Sequence, residues 1–402
     1  MRLIALLVLL IPLGCSTGIS GRASPSVPVV RVRLLENQQR VSVAASESPT
    51  VIVGTTTARR LNLPSGMDVV VSLASSGAWQ VGNVTLGAGE MTLIPSAEGT
   101  LNVNGQSYRG RYRLVPVSTG RFDVVNDVDV DGYLKSVISK ELLTRWDVEA
   151  YKAQAIVART YAIYVSRTSP TGRHFDLNDD QRSQVYGGIA QETAKSRLAV
   201  DETAGVVVVF GDGGREKIFK TYFSSCCGGI TQSATDAFGD AYLPPLSDQN
   251  VGPLCNASPR FNWGPVVLRK SEIVRRVKLW GTQRNRSEAG ISSINTIEIQ
   301  ATNRWGRPKR FVITDGNGAR YSLNGEEIRW AINTDATDGT TLSSSYFKVI
   351  NEPDVIRFVD GHGFGHGVGM CQWCAERRAE EGMSHEDIVL AAFQQAKLAR
   401  MY

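Results

Sequence analysis

The chain has 402 residues, 42% of them hydrophobic and 21% charged, a globular composition that excludes a disordered or fibrous protein. At about 100 to 200 residues per domain, this length allows two to four folding units. Lysine and arginine number 44 against 39 aspartates and glutamates, and the net charge of +5 is too small to predict nucleic-acid binding. The only persistently apolar run, residues 3–13, is shorter than the roughly 20 residues a membrane-spanning helix needs.

In chain order, Met1 and Arg2, the apolar stretch LIALLVLLIPL and Gly14-Cys15 have the layout of a secretory signal over residues 1–14. A small residue followed by Cys also resembles the signal of bacterial lipoproteins, so Cys15 is a candidate for acylation and for a lipid anchor in the membrane. Cleavage further on, near Ala23, is the alternative, because Pro12 stands where an aliphatic residue is usual. Either route puts the mature protein outside the cytoplasm, in the cell envelope. Residues 15–28 are small, polar and Pro-containing, as in a flexible tether.

Residues 29–125 carry short alternating or β-branched runs such as VVRVRLL, VSVAA, MDVVVSL and YRGRYRLVPV, punctuated by Gly, Ser and Asn. They predict a β-rich N-terminal lobe of strands and hairpins. The texture changes near Asp127. Tyr133, Leu134, Val137, Ile138, Glu141 and Leu142 recur at helical spacing, and Asp147 can cap a second, Ala-rich helix, so a helical hairpin follows. Beyond it, GVVVVFGDGGREKIFK reads as two strands about a turn, SEIVRRVKLW as an amphipathic helix, and INTIEIQATNRWGRPKRFVITDGNGARYSLNG as strands again. GHGFGHGVGM is glycine-rich and irregular, and WCAERRAEE and HEDIVLAAFQQAKLARMY predict closing helices. The expected class is α+β, with residues 126–402 as a mixed second lobe.

Three segments concentrate the chemistry. One holds Lys140-Glu141-Leu142, Trp146, Glu149 to Ala155, and Ala158-Arg159-Thr160-Tyr161-Ala162. Another holds Ser183-Gln184-Val185-Tyr186-Gly187-Gly188 and Tyr222-Phe223-Ser224-Ser225-Cys226-Cys227-Gly228-Gly229. The last runs from Gly361-His362-Gly363-Phe364-Gly365-His366 to Met370-Cys371-Gln372. In order and spacing these segments resemble the stage II sporulation protein D (SpoIID/LytB) family, from about Asn126 to Ile388. The resemblance implies a protein of the cell wall. Members include peptidoglycan lytic transglycosylases, which cut between N-acetylmuramic acid and N-acetylglucosamine and leave a 1,6-anhydro sugar. Others are enhancers of an amidase.

A lytic transglycosylase can work with one carboxyl group, because the sugar's own 6-hydroxyl is the nucleophile; the acid that protonates the leaving oxygen later accepts the hydroxyl proton. Glu141 occupies the position of the family's catalytic Glu and shares a helix face with Leu134, Val137 and Ile138, a setting that would raise its pKa. The competing reading is a surface pair with Arg145 at i,i+4, worth about 0.3–0.5 kcal/mol. Lys152 and Arg159, seven apart on one face, read either as glycan-groove cations or as contacts within the hairpin. Gln184, Tyr186, Ser224, His362, His366 and Gln372 are further candidates for holding sugar, or else satisfy buried backbone.

No cofactor is expected. His362, His366, Cys371 and Cys374 spell H-x3-H-x4-C-x2-C, a plausible zinc spacing. The family carries its His-Gly run without those cysteines, so disulfides among Cys226, Cys227, Cys255, Cys371 and Cys374 compete with a metal site and with free thiols. The expected partners are peptidoglycan glycan strands and a cell-wall amidase, with no nucleic acid.

Overall fold

Strand formation begins where β-branched residues first alternate with polar ones. In the computed structural model, which describes residues 26–55, 58–180, 183–337 and 339–402, Val30, Val32 and Leu34 of the strand Val29–Gln38 are buried between more exposed neighbours. This is the two-residue period of a half-buried strand. The secretory segment 1–14, Cys15 and the tether up to residue 25 lie outside the described residues.

Val29–Gln38 pairs with Arg121–Asp129 in a seven-stranded sheet that continues through Arg111–Ser118, Met91–Ile94 and Thr50–Val53. A six-stranded sheet orders Gln106–Ser107, Leu101–Val103, Arg40–Ala45, Val69–Leu73, Ala78–Val81 and Val84–Ala88. The inner faces of the two sheets share one core, and Trp79 of one meets Phe122 of the other edge to face at 5.0 Å. Between residues 29 and 125 the described residues contain strands and no helix, in line with the alternating sequence.

Arg121–Asp129 is buried along nearly its whole length, because helices pack on the side turned away from the six-stranded sheet. The strand runs straight through residues 125 and 126 into α1 (Val130–Glu141). Asp129 caps that helix by accepting from the Gly132 N–H at 2.7 Å, and Asp147 caps α2 (Val148–Thr168) by accepting from the Glu149 N–H at 2.8 Å. Ala150, Ala153, Ala155, Ala158 and Ala162 of α2 are all buried. Their small side chains allow close approach of α3 (Ala194–Glu202) and of the strand Val206–Phe210.

A second core gathers Trp280, Phe311, Phe347 and Phe358. After the short α4 (Ala234–Phe238), it is built by α5 (Lys270–Gln283), the sheet Thr296–Thr302, Pro308–Thr314 and Arg320–Asn324, and α6 (Gly325–Asn333). The chain then traverses the glycine-rich loop to α7 (Gln372–Glu380) and α8 (His385–Ala392). The expected closing helix stops at Ala392. Gln395 adopts a positive φ of 65°, and Lys397–Arg400 pairs as a strand with Val206–Phe210, since the open edge of that strand offers backbone partners a helix could not use. No helix among the described residues is long and apolar enough to cross a membrane.

Candidate active site

A cleft of about 790 Å³ opens between the end of α1, the segment around Lys220–Ser225, the α4 and α6 helices, and the loop at Phe364–His366. Of the residues singled out in the sequence, Glu141, Ser224, His366 and Gln372 line it together. Lys152, Arg159, Gln184, Tyr186 and His362 do not line it.

Glu141 is the last residue of α1, where the helix gives way to extended backbone at Leu142. Gln372 Nε2 donates to its Oε2 at 3.3 Å, and the Val185 N–H lies 3.5 Å from its Oε1. Burial raises the carboxyl pKa above its ordinary value, while these two neutral donors pull it down. The pair with Arg145 is not formed. The helix ends before that residue, and the Arg145 guanidinium lies 5.9 Å over the Trp373 ring. The other acids of the cleft are engaged elsewhere: Asp240 accepts from the Tyr222 hydroxyl at 2.7 Å, and Glu326 is paired with Arg329.

The glycine-rich loop passes close to other backbone, as its composition predicts. Gly367 has φ +71°, and a Cβ there would stand 2.4 Å from Arg307 Nη1; one on Gly369, φ +68°, would stand 2.1 Å from the Tyr222 carbonyl. Ser224 Oγ holds the loop by accepting from the Gly367 N–H at 3.1 Å. Phe223–Ser224 pairs in parallel with Met370–Cys371, which brings Ser224 and Gln372 to one floor. The His366 ring packs edge-on against Tyr222 and Phe238, and its Nδ1 accepts from the Val368 N–H at 2.9 Å. Burial lowers its pKa to about 4, so the imidazole is neutral at pH 7.

The remaining candidates sit in the frame around the cleft. Lys152 pairs with Glu149 and Glu202 at 2.8 and 2.7 Å. Arg159 is fully buried, with Nε 2.9 Å from Asp131 Oδ1 and its other nitrogens on Thr203 and the Val200 and Val206 carbonyls. Tyr186 donates to Asn126 Oδ1 at 3.0 Å, and Gln184 Oε1 accepts from the Tyr133 hydroxyl at 3.1 Å. His362 packs against Tyr346 and Phe261.

Sequence reasoning passed over the aromatic wall opposite. Tyr222 stacks on Phe238 at 4.6 Å and Phe238 on Trp330 at 6.2 Å, while Trp330 and Phe364 are 39% and 45% exposed. Flat, half-exposed rings beside hydrogen-bonding groups suit the apolar faces of sugars. Trp330 lies on α6, whose capping box, Asn324 with Glu327 three residues later, was a readable signal for that helix.

Of the competing readings of the cysteines, disulfides are not formed among the described residues. All five described cysteines are free, and the Cys227 sulfur stands 3.6 Å from that of Cys255 and 3.9 Å from that of Cys374, well beyond the roughly 2.05 Å of an S–S bond. The zinc set His362, His366, Cys371 and Cys374 is not assembled either. The four thiols that come together are Cys227, Cys255, Cys371 and Cys374, because the loop turns both imidazoles onto aromatic neighbours instead.

A carboxyl of raised proton affinity at the end of a helical hairpin, facing a Gln across a glycine-rich loop, is the arrangement carried by the motifs. Residues 118–210 match the stage II sporulation protein (SpoIID) family. The chain is 28% identical over 304 residues to an uncharacterized protein of Brachyspira hyodysenteriae, covering 74% of this chain and 73% of that one. It is 26% identical over 304 residues to stage II sporulation protein D of Bacillus subtilis, covering 71% and 78%. Identity to the amidase enhancer of Bacillus subtilis is 26% over 290 residues, 64% of this chain but 39% of the enhancer. The match over residues 118–210 and these likenesses agree with the resemblance drawn from the motifs.

Proposed function

We propose that the protein is a peptidoglycan lytic transglycosylase and that Glu141 is its single general acid and base. The observation that carries this reading is the state of Glu141: a largely enclosed carboxyl in the cleft, of raised pKa, touched by neutral donors and, among the described residues, by no cation. Such a group binds its proton more tightly than an exposed carboxyl does and can pass it to a leaving oxygen. In the reaction, Glu141 protonates the glycosidic oxygen that leaves the C1 carbon of N-acetylmuramic acid. The C1–O bond breaks, the 6-hydroxyl oxygen of the same sugar bonds to C1, and its proton passes to the Glu141 carboxylate. Acid and base are restored by one turnover, and no water is consumed. The exposed rings of Trp330 and Phe364 would hold the flanking sugars.

Glu141→Gln tests the assignment. Incubated with intact and with peptide-stripped peptidoglycan, the wild type should release 1,6-anhydro ends, and the variant should be slower by about 10²- to 10⁴-fold. Release at the wild-type rate would remove Glu141 from the chemistry.

One observation favours a second reading, a wall-binding enhancer of an amidase: the likeness to the Bacillus subtilis amidase enhancer. Unchanged glycan with both substrates, together with stimulation of an N-acetylmuramoyl-L-alanine amidase, would select it. In either case we place the protein in the cell envelope, exported by residues 1–14 and anchored through Cys15; mass analysis of the mature N-terminus tests both.

A further inference from the structure

We propose that Cys227, Cys255, Cys371 and Cys374 form a tetrathiolate site for one zinc ion. All four sulfurs lie within 4.8 Å of one another and all four residues are buried. Zinc holds thiolate sulfur at about 2.3 Å in a tetrahedron, which sets neighbouring sulfurs about 3.8 Å apart. The separations of 3.6 and 3.9 Å from Cys227 to Cys255 and Cys374 match that spacing. They are far too long for a disulfide. A cubane iron–sulfur cluster, with each cysteine on a different iron, would need the sulfurs more widely spread.

The four ligands come from three stretches remote in sequence: the loop after Phe223–Ser224, the turn Gly252–Cys255, and the junction of the strand Met370–Cys371 with the first turn of α7. Cys371 is the N-cap of α7 and Cys374 stands three residues on, so both point to one side. The Cys227 N–H is directed at Cys371 Sγ at 3.3 Å, a bond that stabilises a thiolate. Cys226 is outside the set; its sulfur instead approaches the Cys255 carbonyl at 3.8 Å.

Charge provides an independent argument. Arg307 is 1% exposed, and no carboxylate pairs with it among the described residues. Its Nη1 donates to the Cys227 carbonyl at 2.9 Å and its Nη2 to the His366 carbonyl at 3.1 Å. Buried Glu326 acts on the guanidinium electrostatically but is itself ion-paired with Arg329, and a buried cation short of counter-charge is costly. Four thiolates around a divalent zinc leave a net charge of about −2 beside it, which supplies the compensation. The ion would tie the loop behind Ser224 to α7 and so hold Gln372, next to Cys371, against Glu141. The site does not depend on the glycan chemistry proposed above and would survive its failure.

The test uses the full chain purified under reducing conditions without added metal. Native mass spectrometry and elemental analysis should find about one zinc per chain, released by a mercurial thiol reagent. Replacement by cobalt(II) should give the visible absorption of tetrahedral cobalt–thiolate. Cys374→Ala should lose the metal, Cys374→His should keep it, and Cys226→Ser should keep it. If Cys374→Ala fails to fold, the wild-type stoichiometry and the cobalt spectrum still decide. Metal-free protein, whether its thiols alkylate or its mass is short by the hydrogens of two disulfides, overturns the proposal. So does iron with inorganic sulfide, or zinc fully retained by Cys374→Ala.

Discussion

Gln372 donates to the Glu141 carboxylate at 3.3 Å across 231 residues of sequence. The bond joins the start of α7 to the end of α1 and favours the ionised form of the acid, against the burial that favours the neutral one. Removing the donor in Gln372→Ala should therefore raise the Glu141 pKa further. If Glu141 must be protonated to act, the alkaline limb of the pH–rate profile moves to higher pH in the variant. A limb that stays in place, or shifts to lower pH, would show that Gln372 does not tune this group.

Glu141 also leaves a signature in stability. Its folded pKa lies above its unfolded value, so its contribution is fully present below about pH 4.3 and is lost as pH rises through the folded value. Glu141→Gln keeps the shape and removes the titration. We expect the variant to melt at a higher temperature than wild type at pH 7 to 8, with the gap closing toward pH 4. A gap independent of pH in differential scanning calorimetry would mean that burial does not strain the carboxylate.

Arg159 is a structural cation in this architecture. Its guanidinium is enclosed between α1 and α3, paired with Asp131 and bonded to two carbonyls. Arg159→Ala leaves Asp131 without its cation and should cost about 3–5 kcal/mol in denaturant unfolding. A variant of unchanged stability that had lost glycan binding would return Arg159 to the groove.

Trp330 separates sugar binding from folding. Being 39% exposed on α6, it should cost little stability when replaced, about 0.5–1 kcal/mol. Trp330→Ala is expected to weaken binding to glycan strands several-fold while Glu141 chemistry persists on saturating substrate. Unaltered binding in a pull-down with purified peptidoglycan would leave the aromatic wall without a role.

Much of this was legible locally. The β-rich stretch, the helical hairpin and its two aspartate caps follow from side-chain periodicity and from hydrogen bonds spanning two or three residues. The glycines of the loop from Gly361 announced a backbone that runs against other chain, and Gly367 against Arg307 is such a contact. The C-terminal strand was not legible, because Lys397–Arg400 is extended only through the partner it finds at Val206–Phe210. Local helix propensity favoured the other outcome, and tertiary pairing overrode it.

The same division runs through the site. The motifs that resemble the SpoIID family were enough to name Glu141, Ser224, His366 and Gln372 as candidates, because a motif is a short-range pattern. Whether a named side chain faces the cleft or the interior is set by packing. Arg159 lies in the same motif segment as Glu141 and Tyr186 in the next, yet both are buried among helices and strands that arrive from elsewhere. The cysteines show it most plainly. Spacing linked Cys371 and Cys374 to two nearby histidines, whereas the fold joins them to Cys227 and Cys255, since sulfurs far apart in sequence meet only after the strands and loops that carry them have been packed together.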